Sequence, residues 1–301
     1  MKQIITLLTI LTAISLLLTG FTVFSPKKTK KIEKSCFSPI GISYKSFAKD
    51  SSYEEGKFLT SYAPIGVEKV RKVVIDAGHG GKDPGCLGKF SQEKDIALDI
   101  AFRLGALIRT FHKDVEVIYT RTSDKFLELH ERAKFANRVQ ADLFISIHCN
   151  ASTKSESNGT ETYVMGLGNE ASFAVAEREN SVILQEDDYV KRYQGFDPRA
   201  AMTYILIANY HQTFRDKSLR LAQKIEQQFG AIAQLPSRGV KQERFYVLAK
   251  TLMPSVLIEV GFLSNEKDEI YLNSEEGKEF TAVSIYRAFR DYKNDIEDKY
   301  K

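Results

Sequence analysis

Between Val70 and Tyr292 short apolar runs alternate with stretches of helical period, and this alternation restricts the chain more than any other feature. Lys72-Val73-Val74-Ile75-Asp76 passes into a glycine cluster at Gly78, Gly80, Gly81, Gly85 and Gly88, the pattern of a buried strand feeding a long loop. Ile96, Ile100, Leu104, Leu107, Ile108 and Phe111 mark one face of a helix, and residues 115–120 read as the next strand. A helix over 128–139 leads into a strand over 143–148. A helix near 219–229, strands at 245–248 and 256–259, and a closing helix over 279–292 follow. Strands separated by helices predict an α/β layer, a mostly parallel or mixed sheet covered by helices on both faces.

The rest of the chain departs from that rhythm. Lys2 precedes an apolar block over 4–24, so residues 1–25 are expected to be a signal peptide or an N-terminal membrane anchor. The block exceeds an ordinary signal core and no small-x-small site follows it, which leaves cleavage open. Residues 26–69, rich in Lys, Ser, Gly and Tyr, are expected to be a linker, and 296–301 a charged tail. The net charge of +4 is mild and partly concentrated in Lys27, Lys28, Lys30, Lys31 and Lys34, which gives no footprint for nucleic acid. Cys36, Cys86 and Cys149 are odd in number and lack paired spacing, so no disulfide framework is expected. Residues 177–217 interrupt the catalytic region expected over 70–295, with acids at Glu186, Asp187 and Asp188, a turn at Gly195 and Pro198, and an apolar helical piece near 202–208; they read as a helical insertion.

Zinc catalysis needs three protein ligands on rigid elements and one open position. His79 follows the first strand between glycines that let substrate approach, Glu93 opens the next helix, where the dipole favours a carboxylate, and His148 ends an apolar strand. All three stand at element ends, where open α/β sheets place their sites. Glu259 ends the apolar run Val256-Leu257-Ile258, and a buried acid beside a metal can move a proton. Each residue alone has an ordinary structural reading; it is the four contexts together that carry the inference. His112, His130 and His211 lack partners in the sequence pattern and are expected on the surface or in packing, and alternation turns Cys149 away from His148.

The segments Val74-Ile75-Asp76-Ala77-Gly78-His79-Gly80-Gly81-Lys82-Asp83-Pro84-Gly85, Glu93-Lys94-Asp95-Ile96, Thr120-Arg121-Thr122, Ala141-Asp142-Leu143-Phe144-Ile145-Ser146-Ile147-His148-Cys149-Asn150 and Ile258-Glu259-Val260-Gly261-Phe262 resemble the successive motifs of zinc-dependent N-acetylmuramoyl-L-alanine amidases of the cell-separation type. Ala77 stands where that family usually has proline. The resemblance implies a twisted six-stranded sheet, zinc held by His79, Glu93 and His148, Glu259 as the catalytic acid, and hydrolysis of the amide between N-acetylmuramic acid and L-alanine of peptidoglycan. It implies an exported protein of the periplasm or cell envelope. It also implies that the 177–217 insertion is regulatory, covering the zinc through one of Glu177, Glu179, Glu186, Asp187 or Asp188 until a protein activator displaces it. Two alternatives remain at this point, a zinc carboxypeptidase or endopeptidase on the stem peptide and a non-catalytic wall-binding activator module. A serine acyl-transfer site is a further one, since Ser91-Gln92-Glu93-Lys94 and Ser46-Phe47-Ala48-Lys49 both fit S-x-x-K.

Overall fold

Residues 69–204, 214–233 and 235–298 are described in the computed structural model of the chain. The expected signal or anchor, the linker up to residue 68, Ile205, Leu206 and Ile207 of the insertion, His211, Ser46, Lys49 and the last three tail residues lie outside them. Among the described residues no helix is long and apolar enough to cross a membrane.

Six strands form one sheet: β1 Lys72–Ala77, β2 Glu116–Tyr119, β3 Leu143–Asn150, β4 Thr160–Met165, β5 Ser237–Glu243 and β6 Ser255–Phe262, in the order β2-β1-β3-β6-β4-β5. The first four neighbours run parallel, β4 runs antiparallel to β6, and β5 is parallel to β4. The described helices are α1 Glu93–Phe111, α2 Leu129–Arg138, α3 Glu170–Asn180, α4 Tyr189–Arg192, α5 Arg215–Gln228, α6 Tyr246–Ala249, α7 Glu266–Asn273 and α8 Glu275–Glu297. A mixed sheet between helical layers is therefore the architecture the alternation predicts.

Two cores flank the sheet. Val73, Ile75, Ile145, Ile147, Cys149, Ile258 and Val260 face one, with α1, α5 and α8; Val74, Phe144, Tyr163 and Leu257 face the other, with α2, α3 and α6. Because side chains alternate along a strand, Asp76, Ser146, His148, Glu161 and Glu259 all fall on the second face. Two elements differ from expectation. Residues 245–248 are the end of a loop and the helical turn α6, not a strand: a short buried apolar run carries no period that separates the two. The insertion expected over 177–217 has both ends inside helices, Glu177 in α3 and Lys217 in α5.

Asp76 is fully buried and accepts hydrogen bonds from Arg132 (2.8 Å), Thr120 (2.6 Å) and Ser146 (2.7 Å). Burial would raise its pKa, but the Arg132 charge and the two hydroxyls outweigh burial and hold the carboxyl below its ordinary value. A depressed carboxylate stabilises the fold above its unfolded pKa, and that contribution is lost as pH falls through the folded value. Asp76→Asn leaves the Arg132 cation buried without its counter-charge, and is expected to cost about 3–5 kcal/mol in urea unfolding at neutral pH. The gap between variant and parent should narrow in acid. A cost that did not depend on pH would show that the charge contributes nothing.

Candidate metal centre

After β1 the chain turns through Gly78 and His79. His79 has φ 58°, a left-handed conformation that a non-glycine residue adopts only when its surroundings enforce it. Two buried guanidinium groups do so. Arg121 donates to the carbonyls of Ala77 and Gly78 at 3.0 and 2.8 Å, and Arg132 to those of Ala77 and His79, both at 2.8 Å. Gly78 cannot carry a side chain here, because a Cβ would stand 2.5 Å from the His148 ring. Glu93, the first residue of α1, is held by two backbone N–H groups, from Cys149 to Oε1 (2.9 Å) and from Cys86 to Oε2 (2.8 Å). The Cys149 side chain lies in the opposite core, as alternation predicts, while its backbone serves the site.

His79 Nε2 and His148 Nδ1 each lie 3.0 Å from Glu93 Oε1 and 3.0 Å from Glu179 Oε2. All four side chains are buried, with exposures of 8% or less. Despite these short distances, His79 Nε2, His148 Nδ1 and Glu179 Oε2 make no hydrogen bond. Two imidazole nitrogens and two carboxylate oxygens converging without shared protons present lone pair to lone pair, an arrangement that a cation relieves. The 3.0 Å edges approach the ~3.3 Å separation that tetrahedral zinc with bonds of ~2.0–2.1 Å imposes on its ligand atoms. Asp83 Oδ2 lies 2.7 Å from His79 Nδ1, the outer carboxylate that orients a metal-binding imidazole. The residues therefore fit a metal ion.

The electrostatics agree. Burial pulls the pKa of His79 down, but the Glu93 charge, the bond to Asp83 and the adjacent Glu179 carboxylate raise it well above its ordinary value. Burial acts likewise on His148, and the Glu179 and Glu93 carboxylates lift it to about 9. The pocket is thus built to hold positive charge between its carboxylates.

Glu259 stands beside this group: its Cα is paired in register with that of His148, it is fully buried, and neither of its oxygens has a hydrogen-bond partner. Burial raises its pKa well above the carboxylate range, the Glu179 charge adds to this, and Arg178, 3.6 Å away, opposes. The structure thus brings together His79, Glu93, His148 and Glu259. It adds Glu179, which the sequence left among five acids; Glu186, Asp187 and Asp188 are not in the group. Glu179 is the penultimate residue of α3, a helix started by a reciprocal Asn169–Ser172 cap, and its neighbour Arg178 binds the Ala151 carbonyl and Asn150 Oδ1.

The segment after α3 is fastened to the domain. Lys82 Nζ donates to the Gln185 carbonyl, Tyr193 donates to buried Glu186, and Arg192 pairs with Glu128. His130, expected on the surface or in packing, contacts Glu128, Glu131 and Tyr193. Among the described residues the serine alternative has no geometry to support it: Ser91 Oγ donates to Glu269, while Lys94 Nζ is engaged by Gly81 and Asp124.

A mixed α/β sheet carrying a cluster that could hold a metal ion, with a buried acid beside it, is the framework of a hydrolase. The sequence profile of the N-acetylmuramoyl-L-alanine amidases (amidase 3) matches residues 73–291, and the chain belongs to that family. It is 31% identical over 226 residues to the N-acetylmuramoyl-L-alanine amidase AmiA of Salmonella typhimurium, covering 74% of this chain and 76% of the relative. The crystal structure of an N-acetylmuramoyl-L-alanine amidase from Clostridium difficile superposes with a TM-score of 0.57 at 28% identity, over 74% of this chain and 97% of that one. The CwlD amidase from Clostridioides difficile, solved in complex with the GerS lipoprotein, gives a TM-score of 0.55 at 28% identity, over 74% and 98%. The chain is thus a peptidoglycan hydrolase that cuts the amide between N-acetylmuramic acid and L-alanine, acting at the cell envelope. The stem-peptide peptidase and the binding module give way to this reading.

Proposed function

We propose that His79, Glu93 and His148 hold a catalytic zinc ion, that Glu259 carries the proton, and that Glu179 shuts the site until a partner withdraws it. The observation that carries this is the closed set of four converging ligand atoms: structural zinc sites use four protein ligands, whereas hydrolytic ones use three and keep one position open. Three ligands stand on β3, on α1 and on the turn after β1, and the fourth comes from α3, ahead of the fastened segment. Bound there, zinc would polarise the amide carbonyl and bring a water molecule toward neutral pKa. The remaining work falls to the chain. Asp83 fixes the His79 ring so that Nε2 faces inward. Glu259, its two oxygens unclaimed, takes the proton of the attacking water and returns it to the departing L-alanine nitrogen.

The apolar N-terminal block is assigned to export, as a signal peptide or as an anchor that leaves the catalytic domain at the envelope, with 26–69 as tether. The insertion expected over 177–217 is assigned as the segment on which an activating protein acts. The complex of CwlD with a lipoprotein supports control of such amidases by partners.

Stripping the Glu179→Ala chain with a chelator is expected to abolish release of peptides from purified wall, and Zn²⁺ to restore it at one ion per chain. The released peptides should begin with L-alanine by mass. His79→Ala and His148→Ala should fail to retain the ion. Full activity in metal-free protein would remove the metal from the reaction.

A further inference from the structure

One face of the sheet carries a row of side chains that begins at the metal centre and ends at an open edge. His148 on β3 is paired with Glu259 on β6, Glu259 with Glu161 on β4, and β5 lies beyond as the edge strand. Glu161, 2% exposed, accepts from Arg238 Nε (2.6 Å) and Lys241 Nζ (2.5 Å) on β5, and also from Tyr163 and Asn150. Two cations thus flank one carboxylate at the end of the row, and buried Asp268, held by the backbone N–H groups of Gly159 and Phe262, also feels the Arg238 charge. Arg238 uses only Nε on Glu161; among the described residues neither Nη group is engaged, its guanidinium lies over the Phe262 ring at 5.1 Å, and its side chain is 40% exposed. A fork held on one side and open on the other is the geometry that binds a carboxylate. On the opposite side of the centre, Arg121 and Arg132 are buried and taken up by backbone carbonyls, and Lys94 is paired with Asp124.

We propose that Arg238 and Lys241, positioned by Glu161, form a carboxylate subsite that receives the α-carboxylate of the γ-linked glutamate, the second residue of the stem peptide. Two strand spacings of about 4.8 Å separate β6 from β5. Both cations reach back from β5 over part of that distance to Glu161. An extended peptide advances about 3.3–3.6 Å per residue, so a carboxylate on the second residue beyond the cut amide meets the fork. The subsite rests on the amidase reading of the centre, and it would set preference between stem peptides whose glutamate is free and those whose glutamate is α-amidated.

The test uses the zinc-loaded full chain carrying Glu179→Ala and muramoyl tripeptides, L-alanyl-γ-D-glutamyl-L-lysine, with the glutamate α-carboxyl free or amidated. The free acid is expected to show a KM roughly tenfold below the amide. Arg238→Gln and Lys241→Gln should each erase that difference by raising KM for the acid, with kcat within about twofold and the amide unaffected; Arg238→Lys should recover part of it. Equal KM values for the two substrates, or equal losses on both, would overturn the subsite. Calorimetric binding of the released tripeptides separates this from the parent reading. Acid-selective binding that Arg238→Gln removes, in a chain that hydrolyses neither substrate, upholds the subsite and sinks the amidase assignment. Hydrolysis without selectivity in either arm does the reverse.

Discussion

Glu179→Ala raises the hydrolysis of purified peptidoglycan by the unaccompanied chain about a hundredfold. In the structure the Glu179 carboxylate fills the fourth corner of the cluster, 3.0 Å from both ligand nitrogens, and the cluster is buried beneath α3. A chain held about 99% closed has one-hundredth of its molecules competent, so removing the ligand that closes it can recover at most about that factor. A partner acting without mutation must bind the open form more tightly by about 5.5 kcal/mol to move the populations from 1:99 to 99:1. Arg178 works in the same direction, binding Glu179 and approaching Glu259. The measurement is release of labelled wall fragments with zinc content recorded in parallel. An unchanged rate in a folded, zinc-loaded variant would refute restraint by this residue.

Glu259→Gln, made in the Glu179→Ala chain, lowers kcat about a thousandfold while one zinc per chain is retained. Proton transfer by a positioned carboxyl contributes roughly 10²–10⁴ in rate, and among the described residues beside the cluster Glu259 is the carboxylate with neither oxygen hydrogen-bonded. Burial pushes the Glu259 carboxyl up, and the Glu179 charge adds to that, leaving it well above its ordinary pKa. Withdrawing Glu179 therefore lets Glu259 ionise more readily and act as a base when the centre opens. Glutamine preserves shape and burial, so loss of turnover with an unchanged thermal midpoint isolates the proton. Near-parental kcat would assign the proton to another group.

Three of the four converging residues were legible as candidates because each stands by an element with a clear pattern: His79 after a buried run, Glu93 at a helix start, His148 near the end of a fully buried strand. β4 and β5 were not legible. Thr160, Glu161 and Thr162 on β4 are buried only because Glu226, Arg238 and Lys241 satisfy them, and those partners lie more than 60 residues away. β5, Ser237–Glu243, is polar because it is an edge. Arg132 gave no signal either, since its work is to hold the carbonyls of a turn 53 residues or more upstream. Glu179 could be shortlisted as an acid in an odd segment. Singling it out needed the fold of α3, which aims one carboxylate inward and leaves Glu186 to Tyr193.

The fourth carboxylate also bears on how the ion is kept. Whatever Glu179 contributes to holding zinc in the closed chain, zinc contributes equally to holding α3 in place, because linkage between two binding events is reciprocal. On the proposed reading the resting protein would be a store of metal as well as a silent enzyme, and would stay silent more firmly the better it is loaded. Activation exchanges retention for turnover, so an envelope poor in zinc would empty the working molecules first and spare those still waiting.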